Sequence, residues 1–199
     1  MPKTLMELSG ADLHPPKLEE AIVVLIDCQQ EYIDGALPLP GVEAALAELS
    51  DLLGKARKAE TEIIHIAHCG APGGVFDRSE GGKGAFAVDV APRATEKVIE
   101  KKLPNAFAAT DLHSVLQSIG KTNLILGGFM THMCVSSTAR AALDLGYRST
   151  IIDKACATRD LPDSNGNILP AQQIHQVSLA ALSDRFALIV PDVASLSGR

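Results

Sequence analysis

No apolar run in this chain of 199 residues approaches the roughly 20 that a membrane-spanning helix needs, so no membrane partner is expected. The opening stretch, Met1 to Leu13, is without the charged-then-apolar layout of a signal peptide. Positive charge is not in excess: 18 Lys and Arg stand against 24 Asp and Glu, a formal net charge of -6. A general nucleic-acid binder would want a basic face, and this balance argues against one. The four cysteines, Cys28, Cys69, Cys134 and Cys156, are scattered and form no C-x-x-C pair. With 46% hydrophobic residues the chain can fill a core without disulfide staples, so free thiols in a cytoplasmic protein are expected. Internal repeats and low-complexity segments are absent. The glycines from Gly70 to Gly84 do not follow a strand-to-helix step with G-x-G-x-x-G spacing, so no dinucleotide or phosphate loop is read and no cofactor is expected.

What is present is an alternation of strand and helix signals. Residues 1–20 are polar, with Pro15 and Pro16, and read as an N-terminal arm ordered only if something holds it; residues 21–199 read as a single domain. Ala21 to Ile26 is a continuous apolar run, the pattern of a strand buried on both faces of a parallel sheet. Val42, Leu46, Leu49, Leu52, Leu53 and Ala56 recur at helical spacing between Gly41 and Ala59. Glu62 to His68 is a second strand. The segment from Cys69 to Pro92 is glycine-rich and too long for a passive connector, so it is expected to cover or line a site. Glu96 to Lys101 is a third strand, polar enough for an edge, and Asp111 to Ser118 a short helix. Asn123 to Leu126 is a fourth strand, followed by a helix that stops at Gly146. Arg148 to Asp153 is a fifth strand, Cys156 to Leu169 a loop, Pro170 to Leu182 a helix and Phe186 to Val190 a sixth strand. The alternation predicts a three-layer, doubly wound α/β domain with a six-stranded, mostly parallel sheet in the order 3-2-1-4-5-6. Ligands bind such sheets beyond the carboxyl ends of the strands where the winding reverses, here between the first strand and the fourth.

Asp27 closes the first strand. Cys134 follows the fourth, after Gly127 and Gly128, where the chain turns into a helix. The unpaired N–H groups and dipole of a helix start lower a thiol's pKa, and the thiolate is the nucleophilic form. Asp27, partly desolvated at the mouth of a buried strand, would serve as the base such a thiol needs. Lys101 and Lys102 end the third strand, and only one of them can face the crevice; periodicity does not choose. That strand lies about 10 Å from the first, so the lysine must reach across. His65 and His68 are three apart on a strand, face opposite sides and make a poor metal pair. His132 turns away from Cys134 and lines the pocket rather than forming a Cys–His dyad. Cys28 points away from Asp27. Tyr32, Arg78, Lys83, Phe107 and Arg159 come from loops expected near the crevice.

Val23-Val24-Leu25-Ile26-Asp27-Cys28-Gln29 resembles the opening aspartate strand of the isochorismatase-like cysteine hydrolases. Val98-Ile99-Glu100-Lys101, followed by Asn105-Ala106-Phe107 and Thr110-Asp111-Leu112, resembles their lysine segment. Gly128, Thr131, Cys134, Val135 and Thr138 match their cysteine signature. The resemblance runs from Ala21 to Val190 and selects Lys101, since Phe107 is the sixth residue after it. It implies a catalytic triad of Asp27, Lys101 and Cys134, and an oxyanion hole from the backbone N–H groups of Met130 and Cys134. It also implies a non-proline cis peptide between Phe129 and Met130, a small-molecule substrate, and a homo-oligomer, dimer or tetramer. Nicotinamidases of the family hold a metal through an Asp-x-His motif after the first helix region, with further histidines; no Asp-x-His is read anywhere in this chain, so no metal is expected. The activity implied is hydrolysis of a C–N bond, amide or carbamoyl, through a thioester. Two alternatives stand beside it: a vinyl-ether hydrolase, whose chemistry does not require a nucleophilic cysteine, and a catalytically silent binding subunit of the same fold. A depressed pKa would make Cys134 the fastest of the four thiols to react with iodoacetamide.

Overall fold

The computed structural model describes residues 2–196; Met1 and residues 197–199, the outer ends of the expected arm and domain, lie outside the described residues. The arm is held by contacts to the body of the protein. Thr4 and Glu7 cap a one-turn helix α1 (Leu5–Leu8) reciprocally. The Leu5 and Met6 N–H groups donate to Asp184 at 2.8 and 3.0 Å, and the Arg148 guanidinium donates to the carbonyls of Asp12 and His14.

Strand β1 (Ala21–Ile26) is buried along its whole length, as an inner parallel strand must be. Helix α2 (Val42–Lys58) starts at Gly41, which takes a left-handed φ of 75°, and buries one apolar stripe from Val42 to Ala56. Then come β2 (Glu62–His68), β3 (Lys97–Lys101), α3 (Leu112–Ile119), β4 (Asn123–Phe129), α4 (Ser136–Asp144) and β5 (Arg148–Ala157). Two short strands, β6 (Leu161–Pro162) and β7 (Ile168–Leu169), precede α5 (Ala171–Ser183) and β8 (Ala187–Val190). The main sheet has six parallel strands in the order β3-β2-β1-β4-β5-β8, the doubly wound order the alternation predicts, with the polar β3 at one edge. Strand alternation divides the core. Val23, Leu25, Ile63 and Ile125 pack with α2 on one face. Ile22, Val24, Ile64 and Leu124 pack on the other, against Leu116 of α3, Ala139 of α4 and Leu182 of α5.

Two segments differ from the sequence reading. β4 continues through Gly127 and Gly128 to Phe129, and β5 runs on to Ala157 where a loop was expected from Cys156. A register slip between Leu126 and Gly128 lets the strands pair again, Gly128 with Cys156 and Phe129 with Ala157. The fifth strand was expected to end at Asp153; β8 pairs with it as far as Ile152 with Val190, and beyond that the Lys154 N–H donates to the Pro191 carbonyl at 3.2 Å. The rest of the expected loop holds the antiparallel pair β6–β7, whose turn the Asp163 carboxylate closes by accepting from the N–H groups of Asn165 and Asn167, both at 2.8 Å.

Candidate active site

Because β1, β2, β3 and β4 run parallel, their carboxyl ends share one rim of the sheet. Asp27, just past β1, has a left-handed φ of 52°, which aspartate tolerates better than most residues. Its N–H donates to the Ile66 carbonyl at 3.0 Å, and its carbonyl accepts from Gln29 at 2.8 Å, so neighbouring backbone fixes the bend. Lys101 is the last residue of β3, in register with His68 at the end of β2. Its side chain points inward while that of Lys102 is exposed, so strand alternation and the resemblance select the same lysine. Cys134 sits in a wide π-type turn, Thr131–Val135, between β4 and α4. The peptide joining Phe129 to Met130 is cis, as the resemblance implies.

The Lys101 ammonium spans the distance noted from the strand spacing. Its Nζ lies 2.7 Å from Asp27 Oδ2, 3.1 Å from His68 Nδ1 and 3.3 Å from Cys134 Sγ. An ammonium has three hydrogens to give, and these are three acceptors. Water is largely excluded: Asp27 is 0% exposed, Lys101 2% and Cys134 5%. The contact to Asp27 is a buried ion pair. Donor atoms of Asp27, His68 and Cys134 lie within 4.8 Å of one another, a spacing that suits a cation; the ammonium is the cation there.

His68 therefore belongs to the site, although the sequence reading set it aside with His65. The two do face opposite sides: His65 is turned to Glu96, with Nε2 2.9 Å from Oε2, while His68 is turned to Lys101. The reading that the chain holds no Asp-x-His is wrong, since the triplet occurs at Asp12–His14 and Asp111–His113. His14 pairs with Asp12 itself, and His113 meets the Tyr147 hydroxyl. Gln29, fully buried, was also missed. Its side-chain amide donates to the carbonyls of His68 and Gly84, while its oxygen accepts from the His68 N–H at 2.9 Å, clamping β1, β2 and the glycine-rich segment together. Its place two residues after Asp27 in the resembling motif was the one signal available.

The glycine-rich segment does line the site, as its length implied. It delivers Phe76, whose ring lies 5.0 Å from that of His68 and 5.1 Å from that of Tyr32. Buried Glu31 holds it there by accepting from the Phe76 N–H at 3.0 Å. The chain doubles back so tightly that a Cβ on Gly70 would stand 1.8 Å from the Val75 carbonyl oxygen. Other loop residues are engaged elsewhere: Arg78 with Glu100, Lys83 with Asp34, Phe107 stacked on Tyr147. Arg159 is exposed. His132 bonds to the Thr158 hydroxyl rather than to Cys134.

Burial reverses one expectation. The helix start was expected to lower the pKa of Cys134, but loss of water and then the Asp27 carboxylate push it up to about 12, and Lys101 only partly offsets them. Asp27 is raised as well, because burial outweighs Lys101, the Cys134 thiol and the His68 N–H. Burial and Lys101 hold His68 down to about 4, so its imidazole is neutral at neutral pH and Nδ1 accepts from the ammonium. The resting site is a neutral thiol beside a carboxylate made more basic. Fast labelling is thus no longer expected of Cys134. Its alkylation by iodoacetamide should climb about tenfold per pH unit between pH 7 and 9.5. A plateau below pH 8, read by mass spectrometry of the Cys134 peptide, would contradict this.

Removing the ammonium would leave Asp27 as an uncompensated buried charge. Lys101→Met should cost about 3 kcal/mol of stability in urea unfolding, and an unchanged midpoint would show that the pair is not mutually dependent.

Residues 21–191 match the family model described as Isochorismatase domain. A crystal structure of an isochorismatase from Pseudomonas putida is 46% identical, with a TM-score of 0.92 over 96% of this chain and 97% of that one. A secreted isochorismatase effector of Verticillium dahliae is 35% identical over 173 residues, 86% of this chain and 88% of its own. A maleamate amidohydrolase of Pseudomonas putida is 31% identical over 163 residues, 73% of this chain and 76% of its own. The match extends from β1 to the end of β8, so this chain belongs to the isochorismatase family, whose members include amidohydrolases.

Proposed function

We propose that the protein is a cofactor-independent cysteine hydrolase that cleaves the C–N bond of a small amide or carbamoyl compound. The observation that carries this reading is the single buried ammonium of Lys101 touching both a carboxylate and a thiol, at 2.7 and 3.3 Å. A thiol whose pKa stands near 12 is not a free thiolate at rest. Its proton passes to Asp27 as sulfur attacks the carbonyl carbon, and the raised basicity of Asp27 favours that transfer. Lys101 offsets the negative charge that the pair carries throughout. The N–H groups of Met130 and Cys134 hold the oxyanion. Collapse breaks the C–N bond, Asp27 returns the proton to the departing amine, and a thioester to Cys134 remains. Water, deprotonated by Asp27, then attacks the thioester, releasing the carboxylic acid and the thiol.

Amide chemistry draws support from the maleamate amidohydrolase among the relatives. The relatives named isochorismatase favour a second reading, vinyl-ether hydrolysis, which leaves the Cys134–Lys101 contact without a chemical role. A catalytically silent subunit is opposed by the intact cluster. The proposal includes a small-molecule substrate, a cytoplasmic location and a dimer or tetramer. Leu103 and Met133, exposed beside Lys101 and Cys134 in the chain, are apolar surface that such an assembly would cover. No described helix is long and apolar enough to cross a membrane.

A screen of small amides, ureas and hydroxamates for ammonia or amine release, quenched in acid and read by mass, tests the reading. An acyl mass on the Cys134 peptide during turnover is expected. Turnover of a vinyl ether with no adduct would decide for the second reading.

A further inference from the structure

The turn that carries Cys134 is tied to the far end of β5 and to α5 by a side-chain chain outside the triad. Thr131 is fully buried, and its Oγ1 lies 2.8 Å from His175 Nδ1 and 3.1 Å from the Ala157 carbonyl oxygen. The other ring nitrogen of His175, Nε2, is 2.7 Å from Asp153 Oδ1 on β5. A carboxylate only accepts, so Nε2 carries a hydrogen; Nδ1 then accepts from the Thr131 hydroxyl, whose one hydrogen lies between Nδ1 and the Ala157 carbonyl. The Asp160 carboxylate accepts from the Ala171 N–H at 2.7 Å, which caps α5 and fixes the helix that presents His175. Within the turn, the Met130 carbonyl accepts from Met133 and Val135 at 3.0 and 3.3 Å, so Thr131 lies inside the hydrogen-bonded loop that joins Met130 to Cys134 and Val135.

We infer that Asp153, His175 and Thr131 form a relay that holds the Thr131–Val135 turn in place, and that His175 is a positioning residue for the Met130 and Cys134 N–H groups. Its link to catalysis rests on the oxyanion hole proposed above; its link to the turn does not. Thr131, being fully buried, is no second nucleophile. Asp153 and His175 also line a cleft of about 570 Å³, bordered by Gly41, Glu48 and Lys154, so the outer end of the relay is open to small molecules.

Amide hydrogen exchange over residues 130–135 reads the turn without needing a substrate. Thr131→Val removes the hydroxyl at nearly constant volume, and His175→Ala removes the imidazole. Each should speed exchange in this segment about tenfold or more while β1 and β2 exchange as before. The double variant should be no worse than either single one, since both break the same chain. Thr131→Ser should recover most of the loss. Added imidazole, entering the cleft, should slow exchange again in His175→Ala and have no effect in Thr131→Val. Unchanged exchange in Thr131→Val and His175→Ala, or losses that add in the double variant, would overturn the relay. On any amide the wild type hydrolyses, the same variants should lower kcat about tenfold with KM within about twofold. Exchange that rises while the wild type forms no acyl-Cys134 would leave the relay standing and remove the hydrolase reading.

Discussion

Cys134→Ala should lower amide turnover by about 10⁴-fold or more while leaving the protein nearly as stable as before. The two halves of this expectation come from one geometry. Sulfur is the atom that forms the thioester, and no other thiol can replace it: Cys28 is turned to the Ile26 carbonyl, Cys156 is buried in the core, and Cys69 bonds to the Ala67 carbonyl. Yet the thiol is only one of three acceptors of the Lys101 ammonium. Asp27 at 2.7 Å and His68 at 3.1 Å remain when it is gone, so no buried charge is stranded. The loss is that of a small buried side chain, about 1 kcal/mol. Lys101→Met behaves in the opposite sense, since it orphans Asp27 and costs stability even where no chemistry is assayed. Ammonia release and urea unfolding of the two variants, side by side, separate the roles. If Cys134→Ala retains turnover within tenfold of the wild type, the thioester mechanism is wrong and the amide bond is cleaved without a covalent intermediate on Cys134.

The parts of this site that could be read from the sequence are those set by strand ends and alternation. Asp27 and Cys134 follow strands that the doubly wound order makes neighbours, and β1 does lie beside β4. Lys101 was distinguishable from Lys102 by the spacing to Phe107 in the resembling motif, and the inward side of β3 agrees. The sign of the Cys134 pKa shift was not legible. A helix start is a local feature written in nearby residues, whereas the thiol is buried in a cluster assembled from distant parts of the chain, among them Ile26, Ala106 and Cys156. His68 was missed for a related reason: alternation gives its face, but only the register of β2 with β3 shows that it ends beside Lys101. His175 lies 44 residues from the turn it contacts, in a helix whose pattern records burial and not hydrogen bonding.

Gly128→Ala should be among the most damaging single changes in the chain, costing more than about 5 kcal/mol. Gly128 has a φ of 124°, where side chains are strained, and is in register with Ile26 at the end of β1. A Cβ there would lie 2.1 Å from the Ile26 carbonyl oxygen and 2.8 Å from both its carbonyl carbon and its nitrogen. These are backbone atoms of the central strand pair, so no rotamer change can relieve the contact. Either β1 moves away from β4, breaking the ladder between them, or β4 twists out of its second pairing with Cys156 and Ala157. Both movements carry Asp27, the next residue after Ile26, away from the sulfur. For a chain of this size the loss corresponds to a melting temperature lower by about 10 to 20 °C, measured by calorimetry or circular dichroism. Gly166→Ala is the control. Its φ of 83° is also positive, but a Cβ there meets nothing within 4 Å, so only the backbone term of about 1 kcal/mol remains. If the two variants melt within a few degrees of each other, the close approach of β1 and β4 is not what sets the distance between Asp27 and Cys134, and the site must be held from its loops instead.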